Sequence, residues 1–314
     1  MAPSATWSVA NLEPQGGKTV IVTGGNSGVG YESALHLALK GATVIIACRS
    51  MERGDAAAAR IRAALAAPGV AAGGSVEVLR IDTSDLASVR AFVAAFSEKH
   101  TALHVLLNNA GVAALPRTLS ADGQELQLAT NHLGHFALTG LLLPLLAATP
   151  GARVVNVSSP AHGRAKGLAY DDWMLEGAYS PFGAYARSKL ANLLFTRELA
   201  RRLEKANTPV MAVAANPGWA VTELANKAAP SILISIAVNV FQPLLSHSAE
   251  AGACPLLYAA TESDVTADDY WSPQWLDLKG FPGRGKKSAL ATNDAEAAEL
   301  WAKSEDVTGV KYLD

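Results

Sequence analysis

Short apolar runs alternate with longer segments of helical periodicity along most of the chain. The apolar runs are rich in β-branched residues and nearly continuous, which is typical of parallel strands buried on both faces. They predict six strands, at Thr19 to Val22, Thr43 to Ala47, Val76 to Ile81, His104 to Leu107, Arg153 to Val157 and Val210 to Ala214.

The longer segments predict five helices between and after these strands. The third is the best marked, because Leu86, Val89, Val93 and Phe96 recur at helical spacing behind Ser84 as an N-cap. This alternation predicts an α/β fold with one doubly wound, Rossmann-type parallel sheet and helices on both of its faces. The helices are expected at about Val29 to Lys40, Glu52 to Ala66, Asp85 to Lys99, Gln124 to Ala147 and Gly183 to Lys205.

The chain shows no break in composition that would divide it into two domains. We therefore expect an N-terminal segment over 1–17 and a single domain over 18–314. Beyond Thr222 the pattern changes to an apolar helical region, a Trp, Pro and Gly-rich stretch from Tyr270 to Gly285, and a helix around Asp294 to Lys303. Residues 222–285 are expected to form a substrate lid. Its apolar run, Ile232 to Val240, fits a mobile cover and a permanently packed helix equally well.

Composition excludes several classes of function. Of 314 residues, 50% are hydrophobic and 17% are charged, and 26 basic against 28 acidic residues form no basic block that would bind nucleic acid. The two cysteines, Cys48 and Cys254, predict neither a disulfide framework nor a zinc site. No signal peptide or spanning segment is evident, so a cytoplasmic monomer or homodimer is expected. Peripheral contact with a membrane stays open.

A glycine-rich loop follows the first strand and leads directly into a helix. In that context glycines let the backbone turn tightly and approach a dinucleotide pyrophosphate at the helix N-terminus. The loop and helix start that would bind the cofactor comprise Gly24, Asn26, Ser27, Gly28, Val29 and Gly30.

The glycine spacing is TGxxxGxG, and further groups follow it in order along the chain. This set resembles the short-chain dehydrogenase/reductase family over nearly the whole chain. Its details are similar to the branch that contains retinol dehydrogenases and light-dependent protochlorophyllide reductases. The motifs that carry the resemblance are Asn108 to Gly111, Asn131, Val155 to Ser159, Ala161 with His162, Tyr185 with Lys189, and Trp301 with Ser304, Thr308 and Gly309.

The resemblance implies a catalytic set of Asn131, Ser159, Tyr185 and Lys189. Tyr185 and Lys189 are four residues apart on one predicted helix, so both project from the same face. Tyrosine titrates near pH 10, and we expect the neighbouring ammonium and an oxidised nicotinamide to lower that pKa. Tyr185 is then the general acid, Lys189 also binds the nicotinamide ribose, Ser159 donates to the substrate oxygen and Asn131 holds a relay water.

Ser158 is the alternative to Ser159. In the family pattern the serine lies six residues after the start of the strand, and counting from Arg153 gives Ser159. The interval of 26 residues from Ser159 to Tyr185 suits the retinol-dehydrogenase branch.

The end of the second strand predicts the choice of cofactor. NAD-specific folds place Asp or Glu about 20 residues after the glycine loop, whereas this chain has Arg49 and Ser50 there. Both can bind a 2′-phosphate, which favours NADP(H). The resemblance also assigns cofactor contacts to Asp82, Thr83, Asn108, Ala110, Gly111, Pro217, Gly218 and Thr222.

His132 and His135 form an HxxH pair, but no third ligand accompanies them, so no metal is predicted. The aromatic residues Trp173, Tyr179, Phe182 and Trp219 are candidates for a lipophilic pocket.

These observations together favour an NADP(H)-dependent oxidoreductase that interconverts a carbonyl and an alcohol on a small to medium lipophilic substrate. One alternative is a light-dependent reductase of a pigment double bond, although its cysteine after the Tyr/Lys pair and its long insertion are missing. Another is a cofactor-binding redox sensor without catalysis, which would not need Tyr185.

Overall fold

The described residues form one sheet of eight strands, in the order β3-β2-β1-β4-β5-β6-β7-β8. The computed structural model describes residues 6–68, 70, 73–218 and 248–313. Strands β1 to β7 are parallel, and β8 pairs antiparallel with β7. The strands are β1 Thr19–Thr23, β2 Thr43–Cys48, β3 Ser75–Arg80, β4 Val105–Asn108, β5 Arg153–Val157, β6 Met211–Ala215, β7 Tyr270–Trp275 and β8 Lys279–Arg284.

Helices cover both faces of this sheet. In the described ranges the α-helices are α1 Gly28–Leu39, α2 Met51–Leu65, α3 Leu86–Ser97, α4 Leu126–Leu128, α5 Gly134–Ala147, α6 Pro181–Lys205, α7 Ala249–Thr261 and α8 Asp294–Thr308. No helix in this part of the chain is long and apolar enough to cross a lipid bilayer.

Alternation along the central strand β1 separates the two main hydrophobic clusters. Val20 and Val22 are fully buried in the cluster that includes Leu37 of α1 and Leu257 of α7. Ile21 points to the opposite face, where it belongs to a cluster contributed to by α3, α5 and α6. The predicted α/β fold with a doubly wound sheet is thereby confirmed, because its strands are buried on both sides.

The cap of α3 differs from the prediction. Asp85, not Ser84, is the N-cap, and its carboxylate accepts hydrogen bonds from the backbone N–H groups of Ala87 and Ser88. The Ser84 hydroxyl instead donates to Asp82 at 2.6 Å. Asp85 is the better cap because it lies one residue closer to the helix and its carboxylate accepts from two free amides at once.

The segment predicted as one helix over Gln124 to Ala147 is interrupted. A π-helical turn at Ala129–Leu133 separates the short α4 from α5. Periodicity could not predict this turn, since the residues around it are apolar on several sides.

The Trp, Pro and Gly-rich stretch forms the hairpin of β7 and β8 rather than an irregular loop. Two prolines and two glycines lie within these strands, which masks the period of two that usually marks a strand. The apolar run Ile232 to Val240, predicted as a lid, lies outside the described residues, and so does most of the 222–247 segment.

Candidate active site

A cavity of about 510 Å³ opens where the carboxyl ends of β1 and β4 lie side by side. The strand order reverses direction at this point, which is where open α/β sheets bind their ligands. The lining includes residues from the glycine loop, from the ends of β2, β4 and β5, and from α6. Sequence-predicted members of the lining are Gly24, Asn26, Ser27, Gly28, Val29, Gly30, Arg49, Ser50, Asp82, Thr83, Ala110, Gly111, Tyr185, Lys189 and Pro217.

Two glycines of the loop have backbone conformations that other residues rarely adopt. The φ angles are +67° at Gly24 and +54° at Gly28. Gly30 is required for space instead, because a Cβ there would lie 2.5 Å from both Asn109 Nδ2 and the Gly24 carbonyl oxygen. The loop thus has an open backbone above the first turn of α1, as a pyrophosphate cradle requires.

Two arginines face the part of the cavity beyond β2. The Arg49 guanidinium is 77% exposed and lies 3.9 Å from an Asp82 carboxylate oxygen. Ser50 caps α2 by accepting from the Arg53 backbone N–H, and Arg53 itself lines the cavity. Arg53 was not among the predicted cofactor contacts, although a second arginine in the first turn of the helix after Arg49 was a usable signal.

Asp82 is held in place by its neighbours. One of its carboxylate oxygens accepts from both the backbone N–H and the hydroxyl of Ser84. Thr83 is buried against α5, where a Cβ on Gly134 would come within 1.9 Å of its carbonyl oxygen. The end of β3 is therefore packed rigidly against the helix that follows the π-helical turn.

The cavity position that the sequence predicted for Asn108 is occupied by its neighbour Asn109. The Asn108 side chain does not line the cavity. It is buried in the sheet, where its amide donates to Thr139 and to Asn156. Asn109 lines the cavity, and its amide donates to the Thr23 carbonyl at 2.7 Å. Side chains alternate along a strand, so an error of one residue at the strand end selects the opposite face.

Asn131 lies in the π-helical turn and is fully buried. Its side chain accepts from the Val112 N–H at 2.8 Å and donates to the Val112 carbonyl and to Ser188. The Asn131 side chain thus fixes the irregular segment that follows Gly111, and it is not part of the cavity lining. Its backbone carbonyl accepts from His135.

The geometry separates the two candidate serines. The Ser158 hydroxyl is buried and donates to the Lys189 carbonyl at 2.8 Å, which makes it a link between β5 and α6. Ser159 lies close to Tyr185, where its hydroxyl acts to lower the pKa of the tyrosine, and its side-chain oxygen accepts from the Ala161 N–H. Ser158 is the serine that lines the cavity, whereas Ser159 is the one that interacts with the tyrosine.

Tyr185 and Lys189 project from the same face of α6, as the four-residue spacing predicts. The Lys189 ammonium donates to the Val157 carbonyl at 3.0 Å and lies 5.7 Å from the centre of the Tyr185 ring. Burial lowers the pKa of Lys189 to about 8. It raises the pKa of Tyr185, while the hydrogen bond with Ser159 acts in the opposite direction. Desolvation outweighs the contact with Ser159, so the pKa of Tyr185 is raised in the protein alone, and the lowering expected beside an oxidised nicotinamide stays a prediction.

A buried asparagine anchors the segment after β6. Asn216 donates to the Ser272 hydroxyl and to the Asp277 carbonyl, and its side-chain oxygen accepts from the Gly218 N–H. Pro217 lines the cavity next to this anchor. The predicted contact residue Thr222 and the aromatic Trp219 lie outside the described residues.

The wall of the cavity beyond Tyr185 is apolar and includes Val112, Ala113, Leu115 and Leu126. Phe182 is 51% exposed, and its ring centre lies 6.2 Å from that of Tyr185. Trp173 and Tyr179 belong to the supporting structure. Trp173 is buried under the Arg187 guanidinium, and the Tyr179 hydroxyl bonds to the Leu115 carbonyl.

The comparisons with known proteins agree with this geometry. The family model described as short chain dehydrogenase matches residues 18–232. The chain belongs to the short-chain dehydrogenase family. This short-chain dehydrogenase is therefore an oxidoreductase of the class that uses a nicotinamide cofactor, and the predicted family is confirmed.

Curated relatives include retinol dehydrogenases. Retinol dehydrogenase 12 of Homo sapiens is 40% identical over 297 residues, which cover 94% of this chain and 88% of the relative. Retinol dehydrogenase 13 of Homo sapiens is 38% identical over 301 residues, covering 94% of this chain and 86% of the relative. The predicted likeness to the retinol-dehydrogenase branch is confirmed at this level.

Solved structures share the fold. An uncharacterized protein from Mycobacterium Paratuberculosis is 39% identical with a TM-score of 0.80, over 98% of this chain and 99% of that chain. The RhlG/NADP active-site complex of Pseudomonas aeruginosa is 25% identical with a TM-score of 0.63, over 81% of this chain and 94% of that one.

Proposed function

We propose that this short-chain dehydrogenase is an NADP(H)-dependent enzyme that interconverts a carbonyl and an alcohol on a small to medium lipophilic substrate. The observation that carries the proposal is the placement of Tyr185 and the buried Lys189 together on the cavity wall, with Ser159 next to the tyrosine. A protein that only bound the cofactor would have no use for a tyrosine in this position.

The cavity fits a nicotinamide dinucleotide. Gly30 leaves space for close approach of the backbone, and the N-terminus of α1 opens toward the cavity. Lys189 and Ala110 would contact the nucleoside parts, and the 24–30 loop would hold the pyrophosphate. When bound, the nicotinamide supplies or accepts a hydride.

NADP(H) rather than NAD(H) is supported by the charge at the end of β2. Arg49 and Arg53 both face the cavity where a ribose 2′-phosphate would lie, and Ser50 lies between them. Asp82, the nearest acid, is 3.9 Å from Arg49 and has one oxygen committed to Ser84. The site therefore presents two cations to a phosphate, which guanidinium groups bind with charge-assisted hydrogen bonds.

The residues around Tyr185 divide the work of proton transfer. In the direction of reduction, the Tyr185 hydroxyl gives its proton to the substrate oxygen as negative charge develops there. Ser159 donates to the same oxygen, and the Lys189 ammonium stabilises the phenolate that remains. Its pKa of about 8 keeps most of the lysine charged at neutral pH.

The substrate class is supported by the apolar wall and by Phe182 near Tyr185. Retinol dehydrogenases among the relatives make retinoids the first class to test. Apolar surface of this kind favours a lipophilic substrate and excludes water from the reacting groups.

The test is NADPH consumption in the dark against retinoids, other aldehydes, ketones, steroids and quinones. Turnover of at least one carbonyl class, lost in Tyr185→Phe, supports the proposal. Turnover that requires light would favour reduction of a pigment double bond. Cofactor binding without turnover of any substrate in the panel would contradict the proposed activity.

A further inference from the structure

His135 is a buried residue of α5 that lies behind the cavity and does not line it. Its side chain is 2% exposed and bridges two parts of the site. Nε2 lies 2.9 Å from the Thr23 hydroxyl at the end of β1, and Nδ1 lies 3.1 Å from the Asn131 carbonyl oxygen in the π-helical turn. The bridge therefore connects the strand before the glycine loop with the helix that carries Asn131.

The two contacts define the state of the imidazole. A carbonyl oxygen can only accept, so Nδ1 carries the hydrogen. Burial and the nearby Lys189 lower the pKa of His135 to about 4, while the bond to Asn131 acts in the opposite direction. The ring is therefore neutral at physiological pH, and Nε2 accepts the hydrogen of the Thr23 hydroxyl.

The Thr23 hydroxyl has a second, longer acceptor contact, 3.3 Å to the Leu107 carbonyl oxygen, and its lone pairs are turned toward the segment after β4. The hydroxyl oxygen accepts from the backbone N–H groups of Asn109 and Ala110, each at 2.9 Å. The Thr23 carbonyl accepts from the Asn109 amide at 2.7 Å. Asn109 and Ala110 both line the cavity next to Gly24. The orientation of one hydroxyl thus fixes the floor of the predicted adenosine side.

The other end of the bridge fixes the proton-transfer side. The imidazole of His135 donates to the carbonyl oxygen of Asn131, which lies inside the π-helical turn. The Asn131 side chain in turn holds Val112 and Ser188. Ser188 is adjacent to Lys189 on α6.

We propose that His135 is a positioning residue that couples the cofactor floor, through Thr23, to the Asn131 turn beside Lys189. The inference rests on the proposed function and assigns a role to a histidine that the sequence pattern presented only as half of an HxxH pair. Nε2 contacts Thr23 on the cofactor side, and Nδ1 contacts Asn131 on the proton-transfer side. Substitutions that remove one contact at a time can therefore separate an effect on cofactor binding from an effect on turnover.

The experiment uses two conservative variants and two readouts. His135→Asn keeps a donor near the Nδ1 position and loses the bond to Thr23, whereas His135→Gln keeps an acceptor near the Nε2 position and loses the bond to Asn131. In His135→Asn, we expect faster hydrogen exchange at the Asn109 and Ala110 amides and an NADPH Kd raised about tenfold, because a buried hydroxyl loses its orientation. In His135→Gln, we expect the Kd to stay within about twofold while kcat falls about tenfold.

His132 provides a matched control, since it is fully buried one turn away and bonds to Ser304 of α8. His132→Asn and His132→Gln should reduce thermal stability without changing the NADPH Kd or the exchange of Asn109 and Ala110. Equal effects of the His132 and His135 variants on Kd, kcat and exchange would overturn the proposal. If the wild-type chain does not bind NADPH, the proposed function fails, and the exchange of the two amides still tests the role of His135.

Discussion

The imidazole of His162 donates from Nδ1 to the carbonyl oxygen of Ser159 at 2.7 Å. This direction is fixed because Nε2 accepts from the Ser288 backbone N–H at 3.1 Å. His162 therefore connects the serine that faces Tyr185 with the chain that follows the β7–β8 hairpin.

His162→Phe should lower kcat about tenfold with a smaller change in the NADPH Kd, because Ser159 loses the contact that orients it. His162→Asn retains a donor near Nδ1 and should recover most of the rate. Steady-state kinetics and NADPH titration of the two variants measure the difference. Equal rates in His162→Phe and the wild type would show that Ser159 is held by its other contacts alone.

Arg49→Ala and Arg53→Ala should each weaken NADPH binding about tenfold while leaving NADH binding nearly unchanged. Each variant removes one charge-assisted contact to a 2′-phosphate, a loss of about 1.5–3 kcal/mol before solvent screening at the exposed Arg49. Fluorescence titration with both cofactors gives the ratio. Arg201→Ala, on the distant part of α6, is the control. If the ratio of the NADPH and NADH dissociation constants were unchanged in both Arg49→Ala and Arg53→Ala, the preference for NADP(H) would be contradicted.

The pKa of Lys189 predicts opposite trends in activity and stability above pH 8. Carbonyl reduction should slow as the ammonium that stabilises the Tyr185 phenolate is lost. The free energy of unfolding should gain a favourable contribution between pH 8 and about 10. The unfolded chain binds more protons in this range, because lysine titrates near 10.5 when unfolded. Lys189→Met should lack both effects, which pH–rate profiles and denaturant titrations would show.

The buried histidines predict a loss of stability in acid. Burial lowers the pKa of His132 to about 3 and that of His135 to about 4, against 6.5 for an ordinary histidine. The contribution of the two histidines to the free energy of unfolding is complete above pH 6.5 and is lost as the pH falls toward 4. Over this range the free energy of unfolding falls by about 1.4 kcal/mol per pH unit for each histidine. His132→Gln should reduce the slope of the unfolding free energy against pH by the amount that one titrating histidine contributes. An unchanged slope would show that this imidazole does not titrate on unfolding.

Gly30→Ala should abolish tight NADPH binding and lower the melting temperature. The added methyl group would lie 2.5 Å from both the Asn109 amide and the Gly24 carbonyl, and the carbonyl is backbone that cannot yield easily. Gly16→Ala, where nothing lies within 4 Å of the added Cβ, is the matched control. Differential scanning fluorimetry with and without NADPH compares them.

Sequence pattern located the strands within one or two residues because buried parallel strands are continuous apolar runs. β5 was predicted with its observed bounds, Arg153–Val157. The spacing of Tyr185 and Lys189 likewise predicted their common face, since helical geometry alone decides it. Which of Asn108 and Asn109 lines the cavity depends on register at the end of β4, and no local pattern carries that information.

Long-range contacts explain what else was missed. The partners of His135 and His162 come from residues up to 126 positions away in the chain. The hairpin of β7 and β8 is stabilised by pairing with β6 and by the Asn216 anchor rather than by its own propensity. Such contacts form only after the sheet is assembled.

The π-helical turn at Ala129–Leu133 has a consequence for helical phase. It places one more residue in the turn than a regular α-helix holds, so α4 and α5 are rotated relative to each other by about 100°. Upstream of the turn, Leu126 faces the cavity, and downstream of it His135 reaches Thr23. Deleting a single residue here would convert the turn into regular α-helix. Leu126 could then no longer face the cavity while His135 contacts Thr23. The site therefore depends on the length of this helix as much as on its composition.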